Sequence, residues 1–270
     1  MAFFIRIELS RTIYMDKVSI PNNFSHNFQN NTSAEENFAL ANPTAITYED
    51  IYLKRINAIN DNPIDIRLPL ENIWNVIIKR SFDILISFIL IVIILSWLIP
   101  LLAILIKLDS RGPIFFLQKR NKNGGYIFTC IKFRSMFVNK EADILVASEN
   151  DKRITRLGKF LRNNHIDEIP QLLNVFIGDM SIIGPRPHMT SENIIYENLL
   201  PEYAYRHTVK PGITGLAQSL GNFGSTLDLE KVKERVHLDI LYINKWSFRM
   251  DIKILYRTSL IMFGLAAPDK

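Results

Sequence analysis

The sequence is poor in several things at once. Its 270 residues contain a single cysteine, Cys130. An internal disulfide and any cysteine-based zinc cluster are therefore excluded, and a lone thiol of this kind is expected to pack as a small hydrophobe. There is no GxxxxGK[ST] phosphate loop, no GxGxxG turn and no internal repeat, so the common nucleotide-fold fingerprints and solenoid architectures are not indicated. The N-terminal "MAFFIRIELSRT" has no apolar stretch of useful length, and no secretory signal is expected. The most informative shortage is of charge: from Ile84 to Ile106, "ILISFILIVIILSWLIPLLAILI", 23 residues pass without an ionisable side chain.

The charges that exist sum to +5, with pI near 9.2. Such a balance suits nucleic acid or an anionic membrane surface. The apolar run decides for the membrane, and no nucleic-acid partner is expected. Residues 21 to 46 are rich in Asn, Ser and Thr without periodicity, the composition of a flexible linker. The division expected is a poorly ordered segment over 1–50, a connector over 51–70 and a folded domain over 71–270.

A 23-residue helix is about 35 Å long, enough to cross a hydrocarbon core. Two features argue against a simple span. Pro100 cannot donate to the Ser96 carbonyl, so the ladder should break near Ser96–Pro100, with Ser96 placed to stabilise the break. Lys79 and Arg80 precede the run while Lys107, Arg111, Lys119 and Arg120 follow it. Cations on both flanks give no preferred orientation and favour a re-entrant helix, over about 82–107, whose two ends lie on one side.

Downstream, Ile114–Gln118 and Tyr126–Lys132 are β-rich around Asn123-Gly124-Gly125, which predicts a hairpin. "EIPQLLNVFI" predicts a short helix started near Pro170. The C-terminal run sets Tyr242, Trp246, Phe248 and Tyr256 among Lys245, Arg249, Lys253 and Arg257, a pattern for helices lying on a headgroup layer or, for the first half almost equally, for helices packed on the core.

The chemistry concentrates in "HIDEIPQLLNVFIGDMSIIGPRP". Asp167 and Glu168 ahead of Pro170 have an ordinary reading as an acidic helix start. Adjacent helical residues do not face one another, so these acids are not expected to share a proton. Lys132 and Arg134 in "KFRSM" alternate onto one strand face. With Arg162 and the Arg186 of "GPRP", they could converge on the acids as a diphosphate clamp, although each alone reads as a surface charge. Carboxylate, Mg²⁺ and Lys/Arg are the recurring parts of phosphoryl-transfer sites.

From about Lys79 to the C-terminus the chain resembles the bacterial sugar transferases, the monotopic polyprenyl-phosphate phosphoglycosyl transferases. The matching stretches are "KRSFDI", "IKLDSRGPIFFLQKR", "KFRSM", "RITRLGKFLR", "DEIPQLLNVFIGDMSIIGPRP" and "VKPGITGLAQ", in that order. The chain departs from the family at Trp97, where proline usually follows the serine, and has its proline at 100 instead. Long members also carry several spanning helices and a nucleotide-binding-like domain, so a short form or a truncated product is expected here.

The resemblance implies a mainly helical α+β domain, embedded monotopically, with a re-entrant broken helix, a small β-hairpin and amphipathic interfacial helices. It implies transfer of a sugar 1-phosphate from a UDP-sugar to undecaprenyl phosphate with release of UMP, the initiating step of exopolysaccharide, capsule or O-antigen assembly. Asp167 would be the nucleophile of a covalent phosphosugar intermediate and Glu168 the Mg²⁺ ligand. Lys132, Arg134, Arg162, Gln171 and Arg186 would contact substrate. Membrane lipids are expected partners, a homo-oligomer is compatible, and the cytoplasmic face of the bacterial inner membrane is the expected location. A catalytically silent scaffold of a polysaccharide assembly system is the alternative. It predicts decay of the Asp-Glu, KFR or GPRP sets, all of which are intact.

Overall fold

The computed structural model describes residues 68–139, 141, 142, 147, 151–222, 228–262, 264 and 265. The expectations for 1–50 and for nearly all of the connector lie outside the described residues.

The apolar run forms one long helix. Asn72 caps its start by accepting from the Trp74 amide, α1 covers Ile73–Leu90, and α2 covers Ser96–Asp109. The joining residues Ile91–Leu95 form a widened turn in which the Ser96 amide donates to the Ile91 carbonyl. Together they make 37 helical residues, Ile73–Asp109, about 55 Å. The interruption expected at Ser96–Pro100 thus falls earlier in the chain and is mild. Ser96 itself keeps helical angles (φ −58°, ψ −40°). Its hydroxyl donates to the Val92 carbonyl at 2.6 Å and Trp97 Nε1 donates to Ile93 at 2.8 Å. These side chains supply bonds where the widened turn loosens the ladder, and the helix continues through Pro100 to Asp109.

The first half of this helix is inside out. Its buried residues are Lys79, Asp83 and Ser87, four apart and so on one face. Ile73, Trp74, Leu85 and Phe88 are exposed. Ser87 donates within the helix, to the Asp83 carbonyl, whereas Lys79 and Asp83 have partners elsewhere in the domain. Lys79 Nζ pairs with Asp251 at 2.8 Å. Asp83 accepts from Ser181 Oγ at 3.0 Å and the Ile182 amide at 2.9 Å. Arg80 donates to the carbonyls of Val175 and Phe176, both at 2.7 Å. Lys79 and Arg80, expected as a cationic flank, are therefore structural ties. The second half buries apolar residues instead: Leu95, Leu98, Leu102 and Ile106 pack with Phe133 and Leu161.

The hairpin forms as expected. β1 (Phe115–Asn121) pairs antiparallel with β2 (Ile127–Phe133), with Gln118 opposite Cys130. The turn needs glycine, because residues 124 and 125 have φ of 70° and 73°. β2 turns Phe128 and Cys130 into the main core, beside Leu172, Val175, Tyr242 and Trp246. Cys130 is fully buried and unpaired, as a small hydrophobe would be.

After α3 (Arg156–Asn163) and a tight turn at Ile166–Glu168, α4 (Gln171–Ile177) begins directly after Pro170. Asn174 fixes α4 to β2, accepting from the Ile131 amide at 2.9 Å and donating to the Thr129 carbonyl at 2.8 Å. β3 (Ser181–Ile183) then pairs in parallel with β4 (Gly212–Thr214), a two-stranded element the sequence reading missed. Around it lie α5 (Thr190–Leu199), α6 (Leu216–Ser219), α7 (Leu229–Lys245) and α8 (Phe248–Met262). The described part of the chain is mainly helical, and the C-terminal pattern divides. Tyr242 and Trp246 are core residues, whereas Phe248, Arg249, Ile252, Lys253 and Tyr256 form an exposed face of α8.

Candidate active site

The acids do not start α4. Asp167 and Glu168 sit in the tight turn Ile166–Glu168, ahead of α4. His165 precedes them in the left-handed conformation (φ 55°, ψ 16°), which is uncommon outside glycine and reverses the chain out of α3. Adjacent positions on this turn point apart, and the two carboxylates reach different surroundings.

Glu168 is held by two cations. Lys132 Nζ donates to Oε1 at 2.8 Å, and Arg186 is bidentate, Nη2 to Oε1 at 2.6 Å and Nη1 to Oε2 at 3.0 Å. Lys132 belongs to the face of β2 that carries Phe128 and Cys130, and meets Glu168 where the strand ends. Burial alone would raise the Glu168 carboxyl, but the charges and hydrogen bonds of Arg186 and Lys132 outweigh it and hold the group well below the ordinary glutamate range. Arg186 is in turn pushed upward by Glu168.

Asp167 is the opposite case. It is 7% exposed, and its carboxylate accepts no hydrogen bond among the described residues. Burial, then the Glu168 charge, raises it above the ordinary aspartate value, against the pull of Lys132, Arg162 and Arg186. The same turn therefore presents one acid locked in its ionised form and one bare oxygen pair in a cationic field.

Both acids line a cavity of about 1090 Å³, together with Lys132, Arg134, Arg162 and Arg186. Six of the seven expected site residues thus surround one space, with Arg134 among them on different terms. Its Nη2 donates to the carbonyls of Ile106 and Ser110 and to Ser110 Oγ, which closes the C-terminus of α2. Desolvation lowers its pKa, only partly offset by Asp109, while its Nε and Nη1 have no partner. Gln171 is buried at the start of α4 and does not line the cavity.

Sequence reasoning missed the support behind Arg186. Arg206 donates to the Arg186 carbonyl at 2.7 Å and to Asp239 at 2.7 Å. His188, in contact with Arg206 and Tyr203, is kept well below its ordinary pKa by burial and then by the surrounding arginines. This neutral ring fills the space behind the GPRP loop without adding positive charge. The only signal in the sequence was the proximity of His188 to Arg186.

A divalent cation has limited room here. No group of three or more acidic, histidine or cysteine ligands occurs among the described residues. Glu168 accepts three hydrogen bonds, two on Oε1 and one on Oε2, and a carboxylate has about four acceptor sites. One position on Oε2 remains. That fits Mg²⁺, which takes one or two carboxylates and completes its shell with phosphate oxygens and water.

The sequence profile described as bacterial sugar transferase matches residues 74–264. The UDP-glucose:undecaprenyl-phosphate glucose-1-phosphate transferase of Klebsiella pneumoniae is 43% identical over 219 residues, 80% of this chain and 46% of its own length. The protein of the same name from Caulobacter vibrioides is 42% identical over 191 residues, 70% of this chain and 71% of its own. The exopolysaccharide production protein PSS of Rhizobium leguminosarum is 40% identical over 189 residues, 68% of this chain and 94% of its own. The chain spans less than half the length of several relatives it matches, 46%, 37% and 41% for those of Klebsiella, Xanthomonas and Escherichia.

Proposed function

Because this chain belongs to the bacterial sugar transferase family, we propose that it moves a sugar 1-phosphate from a UDP-sugar to undecaprenyl phosphate and releases UMP. The observation that carries the reading is the unequal state of Asp167 and Glu168. A nucleophilic carboxylate must be unbonded and near cations that neutralise an incoming diphosphate, and Asp167 alone meets both conditions.

In the first step an Asp167 oxygen attacks the sugar-linked phosphorus. The bond from that phosphorus to the bridging oxygen breaks, and UMP leaves with that oxygen and the electron pair. In the second step an oxygen of the lipid phosphate attacks the same phosphorus, and the Asp167 carboxylate departs restored. Lys132 and Arg186 hold Glu168 and lie beside the diphosphate, while Arg162 adds positive charge on the Asp167 side. Glu168, through its free Oε2 position, would hold Mg²⁺, which when bound would supply charge neutralisation at the diphosphate. Two half-reactions let the soluble and lipid substrates use one cavity in turn.

We place the protein monotopically on the cytoplasmic face of the bacterial cell membrane, with the long helix entering and leaving from one side. An apolar surface as extensive as that of Ile73–Asp109 requires cover. Both ends of the helix are tied to the same domain, by Lys79–Asp251 at one end and Arg134–Ser110 at the other. This favours shallow insertion over a span leading away from the domain. The exposed Phe248–Tyr256 face of α8 suits the same headgroup layer.

The test is a quench of purified protein with UDP-glucose and no lipid acceptor, followed by mass spectrometry. A sugar-phosphate adduct on Asp167 is expected. An adduct elsewhere, or none while UMP is released, rejects the mechanism.

A further inference from the structure

Gln218 lies in α6, immediately after the β4 strand, and is 5% exposed. Both ends of its carboxamide, Nε2 and Oε1, are buried without a hydrogen-bond partner. The residue lines the cavity that holds Asp167 and Glu168. A buried amide left wholly unpaired is rare in proteins and is destabilising by itself.

The surroundings are shaped to place it. Gly215 and Gly184 meet backbone to backbone: a Cβ on Gly215 would lie 2.3 Å from the Gly184 carbonyl oxygen and 2.8 Å from Gln218 Oε1. The missing side chain at 215 leaves the space the carboxamide occupies. Gly184 in turn starts the Gly184–Pro185–Arg186 stretch, and β3 ahead of it pairs Ile183 with Thr214 of β4. The unpaired amide is thus carried on the same two-stranded element that delivers Arg186 to Glu168.

We infer that Gln218 is a donor-substrate contact, its carboxamide forming a paired hydrogen bond to a part of the UDP-sugar that offers one donor and one acceptor side by side. This rests on the reading of the site as a UDP-sugar transferase. Two parts of that molecule have the required chemistry: the imide edge of the uracil and a pair of neighbouring sugar hydroxyls. Either would satisfy Nε2 and Oε1 together. Discrimination follows, because a ligand lacking one of the two groups leaves a buried amide atom unpaired in the complex.

The full-length protein should be compared with Gln218→Met, which keeps volume and removes the amide, and with Gln218→Glu, which removes only the donor. Thermal midpoint, KM for UDP-glucose and UDP-N-acetylgalactosamine, and binding of UDP are the readouts. The inference expects Gln218→Met to melt no lower than wild type while its KM for the sugar nucleotide rises about tenfold or more. Weakened binding of UDP as well assigns the contact to uracil, and unchanged UDP binding assigns it to sugar hydroxyls. Gln218→Glu should weaken binding in the same arm. A lowered midpoint with unchanged KM would mark Gln218 as structural and overturn the inference while leaving the transferase reading intact. Failure of the wild type to bind or turn over any UDP-sugar would overturn both.

Discussion

Arg186 grips Glu168 with both terminal nitrogens, at 3.0 and 2.6 Å. That pairing leaves Asp167, its neighbour in sequence, as the unbonded carboxylate of the site. The arginine thereby divides the labour of two chemically similar residues. One acid is fixed as an anion by its partners, and the other keeps its lone pairs unbonded.

Asp167→Asn should abolish the covalent adduct and reduce turnover by several orders of magnitude, since an amide is a very poor nucleophile. Its stability should move the other way. The folded pKa of Asp167 is raised, so the native state binds the proton more tightly than the unfolded chain. This group therefore destabilises the fold progressively as pH rises from the unfolded value, about 3.9, through the folded one, and fully above it. The asparagine variant should melt above wild type at neutral pH, with the difference vanishing in acid. Scanning calorimetry across pH checks the sign, and the activity of wild type should fall on acidification at a pH above that of an ordinary aspartate.

Glu168→Gln should show the reverse dependence. The folded pKa is held well below the ordinary range, so Glu168 stabilises the fold above its unfolded value, about 4.3, and that contribution is lost as pH falls through the folded pKa. Removing the charge strands Lys132 and Arg186 together. Because the Glu168 side chain is 13% exposed, the cost should fall toward the lower end of about 3–5 kcal/mol for breaking a buried pair. Denaturant midpoints at pH 7 and pH 3 distinguish this from a generic packing defect, and raised Mg²⁺ should recover part of the lost rate.

The Lys79–Asp251 pair gives a prediction remote from the chemistry. Asp251 is fully buried and accepts from Lys79 at 2.8 Å, Tyr242 at 2.9 Å and Trp246 at 3.1 Å. Asp251→Ala leaves a buried ammonium and two donors without their acceptor, and should cost about 3–5 kcal/mol. A Lys79→Met/Asp251→Leu double variant should recover much of that loss, because no charge is then stranded. Melting of the two variants in one detergent measures the difference.

Sequence legibility followed the range of the interactions. The hairpin was readable because Asn123-Gly124-Gly125 states its turn locally, and α4 because Pro170 marks its start. The convergence of Lys132, Arg162 and Arg186 on the acids was anticipated from residue type with the family motifs, not from pattern alone. What escaped was decided by partners far along the chain. Lys79 resembles a membrane flank until Asp251, in α8, is seen to meet it. Arg134 shares its strand face with Lys132 but ends on the Ser110 carbonyl. The β3–β4 pair is too short, three residues each, for alternation to be detected. The break expected at Ser96–Pro100 is instead a widened turn at Ile91–Leu95, where the Ser96 and Trp97 side chains bond the Val92 and Ile93 carbonyls, and the helix continues through Pro100.

The placement of the long helix can be tested by where its ends emerge. Glu71 and Arg111 flank it and are both exposed, whereas Gly112 is unsuitable: its φ is 134° and a Cβ there would lie 2.1 Å from Arg134 Nη1. The native Cys130 is fully buried, so Glu71→Cys and Arg111→Cys single variants should carry the accessible label. A helix of about 55 Å could cross a bilayer if it stood upright and free. Here Lys79 at one end and Ser110 at the other are bonded to residues of the same domain, and the faces bearing Asp83 and Leu102 are packed along the way. Detaching either end would break a buried ion pair or uncap α2, each at a cost of kilocalories. Both cysteines should therefore react with an impermeant maleimide from the cytoplasmic side, in inverted vesicles, and neither from outside in intact cells. Reaction of the two positions from opposite sides would show that the helix spans the membrane and would remove the monotopic placement.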